Sequence, residues 1–125
     1  MGVKKQIVLF GIGGAAYVGL ELLWRGHSHI SMFFAGGVCF LLLGKISRTS
    51  LPFWLQGILG SASITSVELL TGLLANREYS VWDYRHLPFN FYGQICLPFS
   101  LLWIPLSLGA ILLYRQLDKR LFPTD

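Results

Sequence analysis

Two glutamates, Glu21 and Glu68, stand inside apolar runs where a carboxylate has little water around it. A charge at the centre of a membrane helix costs about 2.5–3.5 kcal/mol on the insertion scale, and less toward the interface, so such a residue faces protein or water. Glu68 lies eight residues before Asn76. At the rise of a helix, that is on the order of 10 Å below the end of its run. The segments that follow each run supply partners. Arg25, His27 and His29 follow the first; Arg77, Asp83, Arg85 and His86 follow the third. Asn90 and Gln94, four apart, extend the polar line inward. Two acids beside guanidinium, imidazole and amide groups have three uses. They can line a transport pathway. They can catalyse by acid–base chemistry on a substrate whose anionic head is held by Arg. They can also fasten helices together with no turnover, since Arg–Glu pairs at helix ends are often structural.

Elements must hold these groups. The chain has 125 residues, 54% of them hydrophobic and 13% charged, against about 25% charged in a typical soluble domain. Mean hydropathy is +0.58. The apolar runs are Gln6–Trp24, Ile30–Gly44, Leu51–Ala75 and Phe89–Tyr114. A spanning helix needs about 20 residues. The pattern predicts an all-α, polytopic membrane protein: one transmembrane domain over 1–125, with helices at about 6–24, 29–46, 51–75 and 88–114. The second run is short and spans only by recruiting its flanks; a re-entrant half-helix is the alternative. Lys4 and Lys5 before the first run suggest a secretory signal, but the run is long and no A-x-A-like site follows, so a retained helix is expected.

Seven basic residues, Lys4, Lys5, Lys45, Arg48, Arg115, Lys119 and Arg120, fall on one side of such a bundle; three, Arg25, Arg77 and Arg85, fall on the other. The positive-inside rule then puts both termini in the cytoplasm and the 76–88 connector outside. Val81–His86 is expected to fold back over the bundle mouth with Asp83 paired to an Arg. Leu87-Pro88 should open the fourth helix, because Pro suits a first helical turn, with Asn90 and Gln94 on one face. Glu21 and Glu68 should share a polar cavity lined by at least one Arg. Trp24, Tyr79, Trp82 and Tyr84 read as an interfacial aromatic belt. Cys39 and Cys96 read as packing residues.

The two helical hairpins also resemble each other. Gly13-x-Ala15 and Leu20-Glu21-Leu22-Leu23 match Gly60-x-Ala62 and Val67-Glu68-Leu69-Leu70 at an offset of 47; Gly36-Gly37-Val38-Cys39-Phe40 matches Gly93-Gln94-Ile95-Cys96-Leu97 at an offset of 57. Two hairpins of this kind would form a parallel repeat about the membrane normal.

Several chemistries lack their residues. His27-x-His29 has no Cys or carboxylate at a ligand spacing, so no metal site is expected. There is no phosphate loop, no G-x-S-x-G elbow and no H-E-x-x-H. The net charge of +4 is dispersed between apolar runs, which argues against nucleic acid. No cofactor is expected.

The strings Gly26-His27-Ser28-His29, Ser31-Met32, Gly36-Gly37, Glu68-Leu-Leu-Thr-Gly72, Val81-Trp82-Asp83-Tyr84, Leu87-Pro88-Phe89-Asn90 and Gly93-Gln94-Ile95-Cys96-Leu97-Pro98-Phe99-Ser100 resemble the small bacterial membrane proteins described as ABC-transporter type IV permeases. The likeness runs from about residue 11 to residue 114, and departs at Arg85-His86, where a small polar pair is expected. The resemblance implies a multi-pass protein of the bacterial cytoplasmic membrane, in transport, and supplies no catalytic residues. The expected function is a small permease-like component with a carboxylate-containing cavity near the outer face. Four helices hardly enclose a path, so a homodimer or larger membrane complex is expected, with any ATPase on a separate subunit. The alternatives are a structural or sensory helper and an intramembrane enzyme on a lipid-linked envelope substrate; transport is favoured over catalysis.

Overall fold

A computed structural model of the protein describes residues 3–26, 29–76, 78–79 and 82–122, without the side chains of Trp24 and Arg25. The elements are α1 (Val3–Arg25), α2 (Ile30–Ser47), α3 (Phe53–Ala75), β1 (Asn90–Phe91), β2 (Ile95–Cys96) and α4 (Leu97–Leu121). All four helices are long and apolar enough to cross a membrane. The second is a continuous helix of 18 residues, within the usual spanning range of about 17–25.

Local chemistry sets the helix ends. His29 caps α2: its Nδ1 accepts the Ser31 N–H at 3.1 Å, which satisfies a donor that no helical turn can reach. Pro52 is extended and disfavours helix at Leu51, so α3 opens at Phe53 rather than 51. The fourth helix departs most from the sequence pattern. It begins at Leu97, nine residues after the expected 88, with Pro98 rather than Pro88 in its first turn. Asn90 is the cause. Its Nδ2 donates to the Leu87 and Arg85 carbonyls at 2.9 and 3.3 Å, and its Oδ1 accepts the Gly93 N–H at 3.1 Å. Such local side-chain bonds compete with a helix. They fold 89–96 into a tight antiparallel hairpin, with Asn90 opposite Cys96 and Phe91 opposite Ile95. Phe89, Tyr92 and Gly93 all take positive φ there. Asn90 and Gln94 therefore do not share a helix face.

α1 packs along α2 and α3 along α4, while α2 also meets α3 and α4. Many outward side chains are apolar; Leu23 is 88% exposed and Leu74 76%. A soluble protein rarely leaves such surface continuous, but a bilayer solvates it. The two termini lie together. Lys5, buried, pairs with Asp118 and lies over the Phe122 ring. Nearby, Arg48 donates to the Tyr114 hydroxyl at 3.1 Å and Arg115 to Gln56 Oε1 at 3.0 Å. Replacing Asp118 with Asn leaves the buried Lys5 ammonium without its counter-charge. Removing one partner of a buried hydrogen bond costs about 1–3 kcal/mol, and more for a charge. Asp118→Asn should therefore lower the melting temperature in detergent, and Lys5→Met with Asp118→Leu should recover most of the loss. Equal melting of D118N and the parent would show that the pair contributes nothing.

Candidate functional site

The end of the bundle opposite the termini carries the polar groups. Glu68 and Glu21 are both buried, at 5% and 7% exposure. Glu68 accepts on each oxygen: Trp103 Nε1 of α4 donates to Oε1 at 2.8 Å, and the Tyr84 hydroxyl of the connector donates to Oε2 at 3.3 Å. Tyr17 of α1 stands edge-on to Trp103, with ring centroids 6.1 Å apart. Three helices and the connector thus meet around Glu68: its own α3, α4 through Trp103, α1 through Tyr17 against Trp103, and the connector through Tyr84.

The connector is seated by a buried amide network. Asn76 is fully buried at the C-terminal end of α3, and Gln94 is 2% exposed. Asn76 Nδ2 donates to the Trp82 carbonyl at 2.7 Å and to Gln94 Oε1 at 2.9 Å, and Asn76 Oδ1 accepts the Trp82 N–H at 3.2 Å. Gln94 Nε2 returns a bond to the Asn76 carbonyl at 3.0 Å. Trp82 Nε1 donates to the Gln94 carbonyl at 2.8 Å. Tyr84 stacks on Phe99 at 4.9 Å, and Trp82, Tyr84, Met32 and Cys96 form one core cluster. Trp82 and Tyr84 are therefore not belt residues. Burying their rings sets the connector against Glu68, and their polar atoms are satisfied inside.

The remaining predicted groups are distributed differently. Asp83 takes a bidentate clasp from Arg85, with Nε and Nη2 at 2.9 and 2.8 Å. Arg85 also lies 4.0 Å over the Tyr79 ring. Arg85, His86 and Asn90 are exposed, on the outside of the connector rather than against Glu68. His29 is exposed and spent on its cap. The Arg25 side chain, His27 and Arg77 lie outside the described residues, as does the question of an Arg from that set beside the acids. Among the described residues no group of three His, Cys, Asp or Glu could hold a metal ion.

Sequence reasoning overlooked Asn76 and Trp103 as site residues. Trp103 carried a signal: a Trp well inside a membrane run needs an acceptor for its N–H, and Glu68 lies at a matching depth. Asn76 carried little, because an Asn after a helix reads simply as a terminus.

The Arg85 clasp holds the Asp83 carboxyl down, to about 2, through hydrogen bonds and charge. A lowered folded pKa gives stability that is present above the unfolded value, about 3.9, and is lost as pH falls through the folded one. Amide exchange at 83–87 should therefore be flat with respect to this pair from pH 8 to about 4 and rise only on further acidification toward 2. Asp83→Asn should show the acid behaviour at neutral pH; a midpoint near 4 would mean that the clasp is absent in solution.

Four helices of this length and polarity suit a multi-pass membrane transport component. Neither a curated protein nor a solved structure matches the chain. Residues 6–122 match a family of membrane components across nearly the whole chain, and the protein therefore belongs to the family described as Putative ABC-transporter type IV.

Proposed function

We propose that the protein is a permease-like membrane subunit whose buried carboxylates, Glu68 above all, form part of a solute pathway closed by the 82–96 segment. One observation carries the reading: Glu68 is buried in a spanning helix, and one of its oxygens is held by Tyr84 of the connector. Opening the connector would release that donor and expose a carboxylate to the adjacent solution. Intramembrane ionisable residues mark pathways more often than packing, and a bond between acid and cap couples access to occupancy. The basic residues favour termini in the cytoplasm and the connector outside, in the bacterial cytoplasmic membrane. With no phosphate loop in this chain, ATP hydrolysis belongs to a separate subunit. A homodimer or larger complex completes a path that four helices hardly enclose.

The test is uptake of labelled cationic, anionic and neutral solutes by proteoliposomes containing the parent or Glu68→Gln. Glutamine keeps the shape and removes the charge. Uptake of one class should fall to the level of empty liposomes while E68Q inserts and melts like the parent. If no uptake depends on Glu68 and E68Q instead melts far below the parent, the acid is a fastener and the transport reading fails.

A further inference from the structure

The 89–96 hairpin carries three aromatic rings that the protein does not bury. Phe89 is 78% exposed, Tyr92 67% and Phe91 50%. Phe91 and Tyr92 pack edge to face, with centroids 4.4 Å apart, so these rings form a patch rather than scattered singles. Phe89 and Tyr92 also hold positive φ, 54° and 53°. Bulky side chains rarely adopt that conformation, whereas Gly or Asn takes it with little strain. Rings this exposed recover little of that strain within the protein.

Backbone and amide bonds fix the depth of the patch. The N–H of Leu97, the first residue of α4, donates to the Phe89 carbonyl at 3.3 Å. Gln94 is bonded to Asn76, the C-cap of α3. The hairpin therefore lies level with the ends of two spanning helices. α3 has 23 residues, about 35 Å of helix. That exceeds the hydrocarbon core of a bilayer, about 30 Å, and falls short of the full thickness with its headgroup layers, about 40–45 Å. The helix ends thus fall within a headgroup layer, and the hairpin with them. Exposed apolar side chains reach the same level: Leu74 in the last turn of α3, and Leu97 and Leu101 in the first turns of α4. A bilayer that covers these reaches Phe89, which is bonded to Leu97.

We propose that the hairpin is an interfacial anchor: Phe89, Phe91 and Tyr92 insert among the lipid headgroups and first methylenes, and the partner of this surface is the bilayer itself. Tyrosine suits that layer because its ring is apolar and its hydroxyl polar. Lipid supplies the burial that the core does not, and offsets the strain at 89 and 92. The belt expected at Trp82 and Tyr84 is carried by the hairpin instead, while those two residues turn inward. The segment that meets Glu68 through Tyr84 is then held from two sides, by the Asn76 and Gln94 amides within and by lipid without. Neither the charge state of Glu68 nor transport bears on this anchoring.

Two measurements test it on the full chain in nanodiscs of zwitterionic phospholipid. In the first, a nitrobenzoxadiazole label is attached at position 91 through Phe91→Cys, with Cys39→Ala and Cys96→Ala removing the natural thiols. Lipid bearing a nitroxide near the top of its chain should quench the label, and aqueous iodide should not. The same label placed through Glu78→Cys, at an exposed charged position of the connector, should show the reverse. Strong iodide quenching at 91 would put the patch in water and overturn the anchor. Protection from iodide without quenching by lipid would put a second copy or another protein on the patch, and overturn it too. In the second, amide exchange across 82–96 is compared between the parent and the double variant Phe89→Asn with Tyr92→Asn, the natural cysteines in place. Asparagine relaxes the positive φ, so a hairpin held by the protein alone would exchange at the same rate or more slowly. Loss of the anchor should instead speed exchange by about tenfold, the effect of about 1.4 kcal/mol, while α1 and α2 keep their protection. Exchange at or below the parent's rate would overturn the proposal, even if the labelled variant fails to fold.

Discussion

Asn76→Leu should release the connector from the bundle, with the largest loss of stability of any single polar substitution in the chain. The side chain is fully buried and bonds the Trp82 carbonyl, the Trp82 N–H and Gln94 Oε1. Leucine is close in size but satisfies none of them. Each buried group left without a partner costs about 1–3 kcal/mol, and the three belong to one network, so the total should be about 3–5 kcal/mol rather than their simple sum. The consequence spreads because these bonds seat Trp82, which also donates to the Gln94 carbonyl, and Tyr84, two residues on, reaches Glu68. Amide exchange across 82–96 should accelerate toward that of a free loop while α1, α2 and most of α3 stay protected. Protease sites near Arg85 should become accessible. Asn76→Asp keeps the acceptor and loses the donor, and should fall between the parent and the leucine variant. Protection of 82–96 that survives Asn76→Leu would show that ring burial alone seats the connector.

Gly36→Val should separate α1 from α2. A Cβ at Gly36 would lie 2.5 Å from Tyr17 Cβ and 3.0 Å from the Gly13 carbonyl oxygen. Neither is the end of a flexible side chain, so the helices must move apart. Gly14 tells the same story from the other side, its Cβ meeting the Phe33 carbonyl oxygen at 2.5 Å. Membrane helices have no hydrophobic drive to associate, so close backbone approach is a principal source of their attraction. Overpacking of this kind typically costs about 1–3 kcal/mol, occasionally more. Here it also shifts Tyr17, which stands edge-on to Trp103, the donor to Glu68. G36V should thus insert but melt well below the parent, and lose any Glu68-dependent activity. Gly11→Ala and Gly19→Ala should be neutral or slightly stabilising, because a Cβ at either meets nothing within 4 Å and Ala is the better helix former by about 1 kcal/mol. Equal melting of G36V and G19A would refute the close contact.

These glycines show how far the sequence reaches. Gly11, Gly14, Gly19 and Gly36 look alike in the chain. Which of them is pressed against a neighbour depends on how α1 rotates against α2, and that is a pairwise property of two helices. Helix number and class were legible because a bilayer leaves few options: an apolar run of spanning length must satisfy its backbone internally, and a helix does so. The burial of Glu21 and Glu68 was legible for the same reason, since a lone acid in such a run turns inward. The clasp of Asp83 by Arg85 follows from charge at short spacing and was also within reach.

What only the tertiary structure decided lies between Asn76 and Leu97. The run from Phe89 is as apolar as a helix requires, and apolar periodicity cannot register that the Asn90 side chain bonds three backbone groups and folds the chain into a hairpin. The hairpin brings Gln94 to Asn76, across 18 residues of sequence, and their amides hold Trp82 and Tyr84 inside the bundle. A Trp-x-Tyr beside a membrane run reads as an interfacial anchor by composition. It becomes a lid on Glu68 only because long-range hydrogen bonds of buried amides, invisible to local pattern, are stronger than the preference of those rings for the interface.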